Sequence, residues 1–214
     1  IRAAECPIAA PSANLFGRPS PTTAKHVLDD LAERIELILD AGPTPIGVES
    51  TVLDITRPVP VILRPGGLPR EALEAVLGKV EVRTKPVRGP APSPGMMKRH
   101  YAPRVPLKLV IGEDEAVRSF MRKKAFSQAA QGHKVGLLIA EEDREALADA
   151  PAVFQVLGPR GDPSQVARRL FAALRVMDAL GVSEIYARDF GETGLALAVR
   201  NRLIRAAGGN VIHV

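Results

Sequence analysis

Small hydroxyl and amide side chains are concentrated in one stretch near the start of the sequence, from Ala9 to Thr23. This stretch reads AAPSANLFGRPSPTT, and its apolar residues follow neither a helical nor a strand period. Three proline residues fix φ within it, and Gly17 can adopt φ values that other residues avoid. A loop of this kind brings backbone and hydroxyl groups close to a ligand, and its polar side chains belong to Ser12, Asn14, Ser20 and Thr22.

The loop is a candidate anion cradle because it leads into a predicted helix. Thr22 or Thr23 can cap a helix that runs to about Ala41, since apolar residues recur there at helical spacing. The first backbone N–H groups of a helix lack partners within the helix and can bind phosphate. A proline-rich surface turn followed by a capped helix explains the same residues, and composition alone favours this second interpretation.

A cation stands at the end of the second of two predicted strands. Ile46–Ile55 and Val59–Leu63 are rich in Val, Ile and Thr, and together they predict a hairpin-like pair. Arg64 follows the second strand and precedes the turn sequence PGG, a position from which its guanidinium can face a ligand. An ordinary surface arginine at a strand end explains the position equally well. Further elements are predicted as a short strand within Ile1–Ala9, a helix at Pro69–Leu77 and an edge strand at Val80–Val82.

Residues 84–106 are predicted to form a linker between two domains, because six prolines and two glycines exclude regular structure there. Arg99, His100 and Tyr101 stand side by side within this linker, although a plain spacer needs no cation, imidazole and phenol together. Two interpretations follow. The segment is either a simple spacer or a linker that folds over the first domain's site and contributes side chains to it.

From Leu107 to Val214 the sequence alternates between strand and helix patterns, which is typical of a parallel, Rossmann-like open sheet. The dinucleotide fingerprint G-x-G-x-x-G does not follow the first strand, so no NAD site is predicted. Strands are predicted at Leu107–Ile111, Lys134–Ala140, Ala152–Leu157, Glu184–Phe190 and Val211–Val214. Helices are predicted at Asp114–Gln131, Glu141–Ala150, Asp162–Leu180 and Leu195–Ala207.

The net charge of +5 invites a nucleic-acid-binding interpretation, but acidic residues are interleaved with the basic ones. Aromatic residues make up only 4% of the chain and tryptophan is absent, which disfavours base stacking on single strands. Cys6 is the only cysteine, so no intrachain disulfide can form, and the scattered His residues form no metal site with it. Without a signal peptide or a membrane-spanning apolar run, the sequence predicts a cytoplasmic protein with no membrane partner.

Several blocks of the sequence, in the same order, resemble the Sua5/YrdC/YwlC family of L-threonylcarbamoyl-AMP synthases. Ser12-Ala13-Asn14 matches the second half of the family pattern K-x-R … S-x-N. GVESTVLDI and VILRPG, which begin at Gly47 and Val61, resemble the next two blocks. SPGMMKRHYAP resembles the linker of the two-domain type, and GLALAVRNRLIRAAGGNVI resembles the end of the family's C-terminal domain.

The resemblance covers essentially the whole chain and implies an α/β fold in two parts. Residues 1–83 would be the C-terminal part of a YrdC-like twisted-sheet catalytic domain, 84–106 the linker, and 107–214 a Rossmann-like Sua5 domain. Two departures accompany it. No K-x-R lies upstream of Ser12, so the chain is expected to be a fragment that lacks the first half of the catalytic domain, and the linker departs from the family pattern at Met97 and Lys98.

The resemblance also implies a reaction, in which L-threonine, bicarbonate and ATP yield L-threonylcarbamoyl-AMP and pyrophosphate. A partner protein complex would then use the product for the t6A modification of tRNA. This chemistry requires a bound triphosphate and neutralised charge rather than a protein nucleophile, so no catalytic side chain is assigned and Mg²⁺ is expected to accompany ATP. ATP contacts are implied for Ser12, Asn14, Ser20, Arg64 and Tyr101, and L-threonine contacts for Ala10 and Ser50, with Arg99 and His100 as further linker candidates.

Two other functions stay open at this point. The chain's basic character allows an RNA-binding module without synthase activity, which would bind RNA weakly. The C-terminal domain allows a structural interpretation, in which it only regulates the synthase or docks partner proteins.

Overall fold

The computed structural model describes residues 2–83 and 99–214, so most of the predicted linker, 84–98, lies outside the described residues. The chain begins with a short 3-10 helix, Arg2–Ala4. The α-helices are α1 (Ala24–Leu31), α2 (Arg70–Leu77), α3 (Asp114–Ala129), α4 (Pro163–Ala179) and α5 (Ala196–Ala206). The strands are β1 (Val52–Asp54), β2 (Val61–Arg64), β3 (Glu81–Val82), β4 (Leu107–Ile111), β5 (Val135–Ala140), β6 (Ala152–Gly158), β7 (Glu184–Arg188) and β8 (Val211–His213).

The C-terminal strands form one five-stranded sheet in the order β6-β5-β7-β4-β8, and all of its pairings are parallel. Strand β5 is buried along its whole length, as expected when helices cover both faces of a parallel sheet. Helix α3 packs on one face through Val117 and Met121. Helices α4 and α5 pack on the other face through residues such as Leu170 and Leu203. The predicted α/β class and the parallel open sheet are therefore confirmed.

The first part of the chain forms a smaller sheet in the order β1-β2-β3. Strands β1 and β2 are antiparallel, which confirms the predicted hairpin-like pair, and β3 adds to β2 in parallel at the predicted edge. The first strand is much shorter than predicted, because Ile46–Ile55 contributes only Val52–Asp54 to the sheet. The residues before β1 leave the ladder to pack against α4 and to bind arginine side chains of the site described below.

Three further predictions are wrong. The first helix ends at Leu31 rather than near Ala41. Glu33 has φ 63°, which is outside the helical range, and the apolar side chains after it are poorly buried, with Leu39 87% exposed. Helices depend on burying one face, so this stretch does not stay helical. Ile1–Ala9 contains no strand within its described part, where Arg2–Ala4 is an exposed 3-10 helix.

The helix predicted at Glu141–Ala150 is also wrong, because only the 3-10 turn Glu141–Asp143 is helical there. Asp143 explains the difference. Its carboxylate accepts a hydrogen bond from the backbone N–H of Ala140 at 3.0 Å and forms a buried ion pair with Arg188. The side chain therefore closes the end of β5 instead of starting an α-helix.

Helix α4 connects the C-terminal sheet to the N-terminal loop through buried ion pairs. Arg175 donates to both carboxylate oxygens of Asp30, at 3.2 and 2.7 Å, and to the carbonyl oxygen of Pro19 at 2.6 Å. Burial alone would raise the pKa of the Asp30 carboxyl, but the hydrogen bond and charge of Arg175, with the charge of Arg18, hold that pKa below its ordinary value. Asp30 is thus an ionised anchor between the two parts of the chain.

We expect this anchor to weaken in acid. A carboxyl with a pKa lowered by folding stabilises the fold above its unfolded pKa and loses that contribution as the pH falls through the folded value. At pH 7, Asp30→Asn should lower the free energy of unfolding by roughly 3 kcal/mol, because it leaves Arg175 buried and unpaired. The difference in the free energy of unfolding between the wild type and Asp30→Asn should become smaller as the pH falls below 3.8, the ordinary pKa of an aspartate. Urea titrations at several pH values measure this difference, and a difference that does not change with pH would contradict the prediction.

Candidate functional site

A cleft of about 220 Å³ lies between the N-terminal loop, the segment before β1, and helix α4. Ser12 and Ser20 line one side of it, Val48 and Glu49 line another, and Phe171 of α4 contributes a ring. The loop has no helix or strand within Ala9–Thr23, as its composition predicts, and Gly17 has φ 80°. The described structure therefore brings two of the predicted phosphate-binding hydroxyl residues to one cavity.

Helix α1 begins directly after the loop, with Thr23 as its N-cap. The Thr23 hydroxyl oxygen accepts a hydrogen bond from the backbone N–H of His26 at 3.3 Å. The backbone N–H of Thr22 donates to the Nδ1 atom of His26 at 3.1 Å, and burial lowers the pKa of this imidazole. The predicted cap is confirmed, while the anion cradle stays a prediction.

Glu49 lies at the centre of a polar chain beside the cleft. The Ser20 hydroxyl donates to its Oε1 atom at 2.6 Å, and the Arg202 Nε–H donates to its Oε2 atom at 2.7 Å. Burial alone would raise the pKa of the Glu49 carboxyl, but the charge of Arg202 and the hydrogen bond from Ser20 hold it below the ordinary value. Glu49 is therefore a carboxylate whose two oxygens are both occupied by partners within the chain.

Arg202 reaches this position from helix α5 of the C-terminal sheet. Its side chain is fully buried, its Nη1 atom donates to the carbonyl oxygen of Pro65 at 2.8 Å, and its guanidinium lies 5.2 Å from the ring centroid of Tyr101. The arginine is a buried charge on the helix face that also carries Val199 and Leu203. Its cost of burial is offset by the carboxylate, the carbonyl and the aromatic face.

Arg64 and Ser50 are bound to each other. The Arg64 Nη2 atom donates to the Ser50 carbonyl oxygen at 2.9 Å and approaches the Ser50 hydroxyl at 3.5 Å. Tyr101 also hydrogen-bonds with Arg64, while burial, the first of several causes, raises the pKa of the Tyr101 phenol and keeps it protonated. Two residues predicted to bind ATP therefore lie in one network with a residue predicted to bind L-threonine.

The described end of the linker, 99–106, packs into the protein. Tyr101 is only 2% exposed, its ring lies 5.4 Å from that of Phe171, and its φ of 59° is unusual for a residue other than glycine. The backbone N–H of Ala102 donates to the carbonyl oxygen of Gly17 at 2.9 Å, which ties the linker to the N-terminal loop. This arrangement agrees with a linker that folds over the site and not with a simple spacer.

His100 lies against the ring of Tyr101, with the two ring centroids 4.1 Å apart, and its backbone N–H donates to the Arg205 carbonyl oxygen at 3.2 Å. Burial lowers the pKa of its imidazole, with the charges of Arg202, Arg205 and Arg64 acting in the same direction and Glu49 opposing them. His100 is therefore a neutral ring at neutral pH. Arg99 is exposed, and its side chain runs past Gly208.

The remaining predicted residues are less closely joined. Ser12 lines the cleft and is exposed. The Asn14 Nδ2 atom donates to the Leu15 carbonyl oxygen at 2.7 Å, whereas its Oδ1 atom is buried and has no hydrogen-bond partner among the described residues. Ala10 is exposed and is not among the residues that line the cleft in the part of the chain described. The structure thus joins Ser20, Ser50, Arg64 and Tyr101 to Glu49 and Arg202, and leaves Ala10 apart.

Sequence reasoning missed Glu49 and Arg202 as members of this site. In the sequence Glu49 is only a polar interruption of a predicted strand. Arg202 carried a usable signal, because it falls on the helix stripe that includes Ala198, Val199 and Ala206, where a charge requires a partner. A buried arginine on an apolar face predicts an acceptor on another element, although the helix pattern cannot say which.

The oxygen atoms of the first loop are candidates for metal binding, since its described part offers hydroxyl and amide groups. Within residues 2–83 and 99–214, no group of three or more His, Cys, Asp or Glu side chains could hold a metal ion. The candidates are the unpartnered Oδ1 atom of Asn14 and the hydroxyl groups of Ser12 and Ser20. In the same described ranges, none of the helices has the length and apolar character needed to cross a membrane.

Comparison with known proteins matches both parts of the chain. The family model described as "Threonylcarbamoyl-AMP synthase, C-terminal domain" matches residues 68–208, and the Sua5/YciO/YrdC model described as "Telomere recombination" matches residues 1–66. A Bacillus subtilis (strain 168) protein named threonylcarbamoyl-AMP synthase is 45% identical over 220 residues. That alignment covers 100% of this chain and 60% of the relative.

Two solved structures of Pyrococcus abyssi Sua5 share the fold over the full length of this chain. One is complexed with L-threonine, with a TM-score of 0.89 and 44% identity over 61% of the solved chain. The other carries alanine in place of consecutive histidine and tyrosine residues, with a TM-score of 0.89 and 42% identity over 60% of the solved chain. This chain therefore spans about 60% of the length of these relatives. Because the C-terminal-domain model matches well over half of its residues, the chain belongs to the Sua5/YrdC family.

Proposed function

We propose that this chain forms part of a threonylcarbamoyl-AMP synthase, a nucleotidyltransferase that makes L-threonylcarbamoyl-AMP and pyrophosphate from L-threonine, bicarbonate and ATP. The observation that carries the proposal is the hydrogen bonding between Ser50 and Arg64 beside the cleft. The residue predicted to contact L-threonine is thereby hydrogen-bonded to one predicted to contact the nucleotide, which supports the proposal. The name of the B. subtilis relative and the L-threonine bound to P. abyssi Sua5 support it.

The residues present suit a reaction that depends on positioning. The amine of L-threonine combines with bicarbonate to form a carbamate and water. A carbamate oxygen then attacks the α-phosphorus of ATP, and pyrophosphate leaves. Holding the carbamate and the triphosphate in line supplies much of the rate in such a transfer. Arg64 offers a planar cation suited to phosphate or carboxylate oxygens, and Ser50 offers a hydroxyl group beside it.

Mg²⁺ is the metal that fits the donors in the first loop. Mg²⁺ prefers oxygen ligands and commonly binds through few protein groups together with substrate phosphates. The buried Oδ1 atom of Asn14 lacks a hydrogen-bond partner within the described residues, and Ser12 and Ser20 of the same loop line the cleft. Mg²⁺ bound with ATP would neutralise phosphate charge, and these three side chains are the proposed protein contacts.

Tyr101 and His100 are proposed to position the nucleotide side of the site. HY occurs once in the sequence, at 100–101, and P. abyssi Sua5 has been solved with consecutive His and Tyr residues replaced by alanine. Tyr101 is buried and its phenol is hydrogen-bonded with Arg64, so it can hold the arginine side chain in place. The exposed Arg99 and Ala10 are proposed as peripheral contacts only, to the nucleotide and L-threonine respectively.

The chemistry of the product indicates the class of reaction that uses it. A threonylcarbamoyl group on AMP is an activated acyl group, and the proposed consumer is a protein complex that transfers it to an adenosine of tRNA. The proposed location of both steps is the cytoplasm. This part of the proposal rests on the family resemblance and on the relatives' names.

The direct test is a synthase assay on the protein as its gene encodes it, with residues 1–214 alone run alongside. Pyrophosphate and L-threonylcarbamoyl-AMP are followed with ATP, Mg²⁺, bicarbonate and L-threonine, and each component is omitted in turn. L-valine replaces L-threonine in the matched control, because it has the same shape without the hydroxyl group. We expect adenylate only when L-threonine is present, and no L-threonine-dependent product from the encoded protein would refute the proposal.

Ser50→Ala is expected to raise KM for L-threonine about fivefold and to change KM for ATP by less than about twofold, since one hydroxyl hydrogen bond is worth about 1 kcal/mol. Steady-state kinetics with each substrate varied measure the two constants. Thr51→Val is the matched control, because the Thr51 hydroxyl binds the Leu68 carbonyl oxygen at 2.6 Å. Equal effects of Ser50→Ala on both KM values would count against the L-threonine role.

The RNA-binding alternative rests on the net charge of +5. Many of the described arginines are already paired within the chain, among them Arg175, Arg188 and Arg202. Binding through phosphates falls steeply as salt is added. Titration of a labelled tRNA at low and at physiological salt tests this function, and no binding at low salt would remove it.

A further inference from the structure

The guanidinium of Arg202, on helix α5, contacts three separate segments of the site. Arg202 binds Glu49 in the segment before β1, the Pro65 carbonyl oxygen after β2, and the ring of Tyr101 in the linker. Two of these segments flank the β1-β2 pair and the third is the linker, and all three meet at this side chain. The contact is shielded from solvent, because the Arg202 side chain is fully buried.

Two of these contacts are to direct neighbours of proposed substrate-binding residues. Glu49 precedes Ser50, and Pro65 follows Arg64. The two segments also touch each other, because the backbone N–H of Gly67 donates to the Glu49 carbonyl oxygen at 2.9 Å. The L-threonine side and the nucleotide side are therefore held together by this backbone contact and by the Arg64–Ser50 and Thr51–Leu68 hydrogen bonds, and Arg202 adds a buried bridge between them from α5.

We propose that Arg202 is a positioning residue that fixes the spacing between the Ser50 segment and the Arg64 segment, so that the carbamate oxygen and the α-phosphorus are aligned. The proposal rests on the proposed synthase function. It assigns the C-terminal domain a part in catalysis through α5, without any contact between Arg202 and substrate. Misalignment of reacting groups by about 1 Å can lower a rate by about a hundredfold.

The chemistry of the side chain supports a positioning role. A buried cation is costly, and a buried ion pair alone is weak evidence for stability. Arg202 bears this cost even though its Nη2 atom is buried without a hydrogen-bond partner among the described residues. A rigid planar fork can hold a carboxylate and a carbonyl at a fixed separation, whereas the flexible ammonium of lysine is a single point of charge.

The chain offers a matched control in Arg188. Arg188 extends from β7 of the C-terminal sheet and binds the carboxylates of Asp114 and Asp143. Both arginines are buried, but within the described residues the contacts of Arg188 lie in the C-terminal part and not in the Ser50 or Arg64 segments. Replacing either with lysine should cost similar stability, but only the Arg202 change should disturb the alignment of substrates.

The first experiment measures kcat and both KM values for Arg202→Lys and Arg188→Lys in the protein as its gene encodes it. The temperature is one at which melting curves show every variant folded. We expect Arg202→Lys to lower kcat by about tenfold to a hundredfold with each KM changed by less than about threefold. Arg188→Lys should keep kcat within about twofold, and equal kcat values for the two variants would overturn the proposal.

A double-mutant cycle tests the route through Glu49. If Arg202 acts by holding Glu49, Glu49→Gln combined with Arg202→Lys should be only slightly worse than the more damaging single change. Fully additive losses in kcat would overturn this route. Glu49→Gln retains the shape of the side chain, so cavity effects do not enter the comparison.

A third measurement does not depend on activity. Hydrogen exchange at the Gly67 amide reports the contact between the two segments. We expect exchange about tenfold faster in Arg202→Lys and unchanged in Arg188→Lys, and unchanged exchange in both would overturn the proposal. If the wild-type protein makes no L-threonine-dependent pyrophosphate, the function proposal fails, while this measurement still decides whether Arg202 orders the two segments.

Discussion

Gly47→Ala is expected to lower the free energy of unfolding by about 4 kcal/mol, the largest stability loss we expect from a single methyl group in this protein. Gly47 has φ 84°, and a Cβ atom there would lie closer than 3.0 Å to the backbone of Ala167 and Arg168 in α4. Backbone atoms of a helix cannot move aside as a flexible side chain can. The variant must therefore separate the Glu49 segment from α4, and the synthase activity should fall with the stability.

Gly42→Ala separates the two causes of this loss. Gly42 has nearly the same φ, 85°, but in the described part of the chain no atom lies within 4 Å of the position that a Cβ atom would take there. It should therefore lose only about 1 kcal/mol, from backbone strain alone. Urea unfolding of the wild type and of both variants measures the difference, and similar losses in the two variants would show that the close packing on α4 is absent in solution.

Arg64→Ala is expected to lower kcat/KM for ATP by about a hundredfold. The change removes the proposed phosphate contact and also leaves the Ser50 carbonyl oxygen without its donor at 2.9 Å. Charge-assisted hydrogen bonds of this kind are each worth about 1.5–3 kcal/mol. Arg64→Lys should recover only part of the loss, because an ammonium cannot reproduce the guanidinium fork.

Arg57→Ala is the matched control for Arg64→Ala. Arg57 follows strand β1 of the same small sheet, and its side chain is 60% exposed and paired with Asp54 at 3.3 Å. Pairs as exposed as this contribute little, so kcat/KM should stay within about twofold of the wild type. Nucleotide affinity, measured by calorimetry with a non-hydrolysable ATP analogue, should fall for Arg64→Ala alone. Unchanged affinity in Arg64→Ala would reject the nucleotide role.

The C-terminal sheet could be predicted from the sequence because its signals are local. Alternating strand and helix patterns, the cap at Asp162 with Pro163, and the glycine after α4 mark most element boundaries within a few residues. The parallel direction of the strands follows from the alternation of strands and helices. The extent of helix α1 is not predictable in this way, because the pattern near Leu37 is helical while its side chain is 73% exposed, and periodicity does not show whether a partner surface exists.

The site was only partly predictable, for a related reason. Short recognisable sequence blocks contain five of the predicted site residues, Ser12, Ser20, Ser50, Arg64 and Tyr101. Their roles toward substrate remain predictions. Glu49 and Arg202 are 153 positions apart in the chain, and no local pattern pairs them. Long-range partners of a buried charge are determined by how two sheets pack, and a single sequence carries little record of that.

The buried arginine of α5 has a consequence for how this protein can change over evolutionary time. A residue inserted into α5 before Arg202 would rotate the guanidinium by about 100° around the helix axis and remove it from Glu49, Pro65 and Tyr101 together. The two parts of the chain are therefore not freely exchangeable modules. A chimera that carries a foreign C-terminal sheet can keep the geometry of the first part only if it presents an arginine at the same helical position.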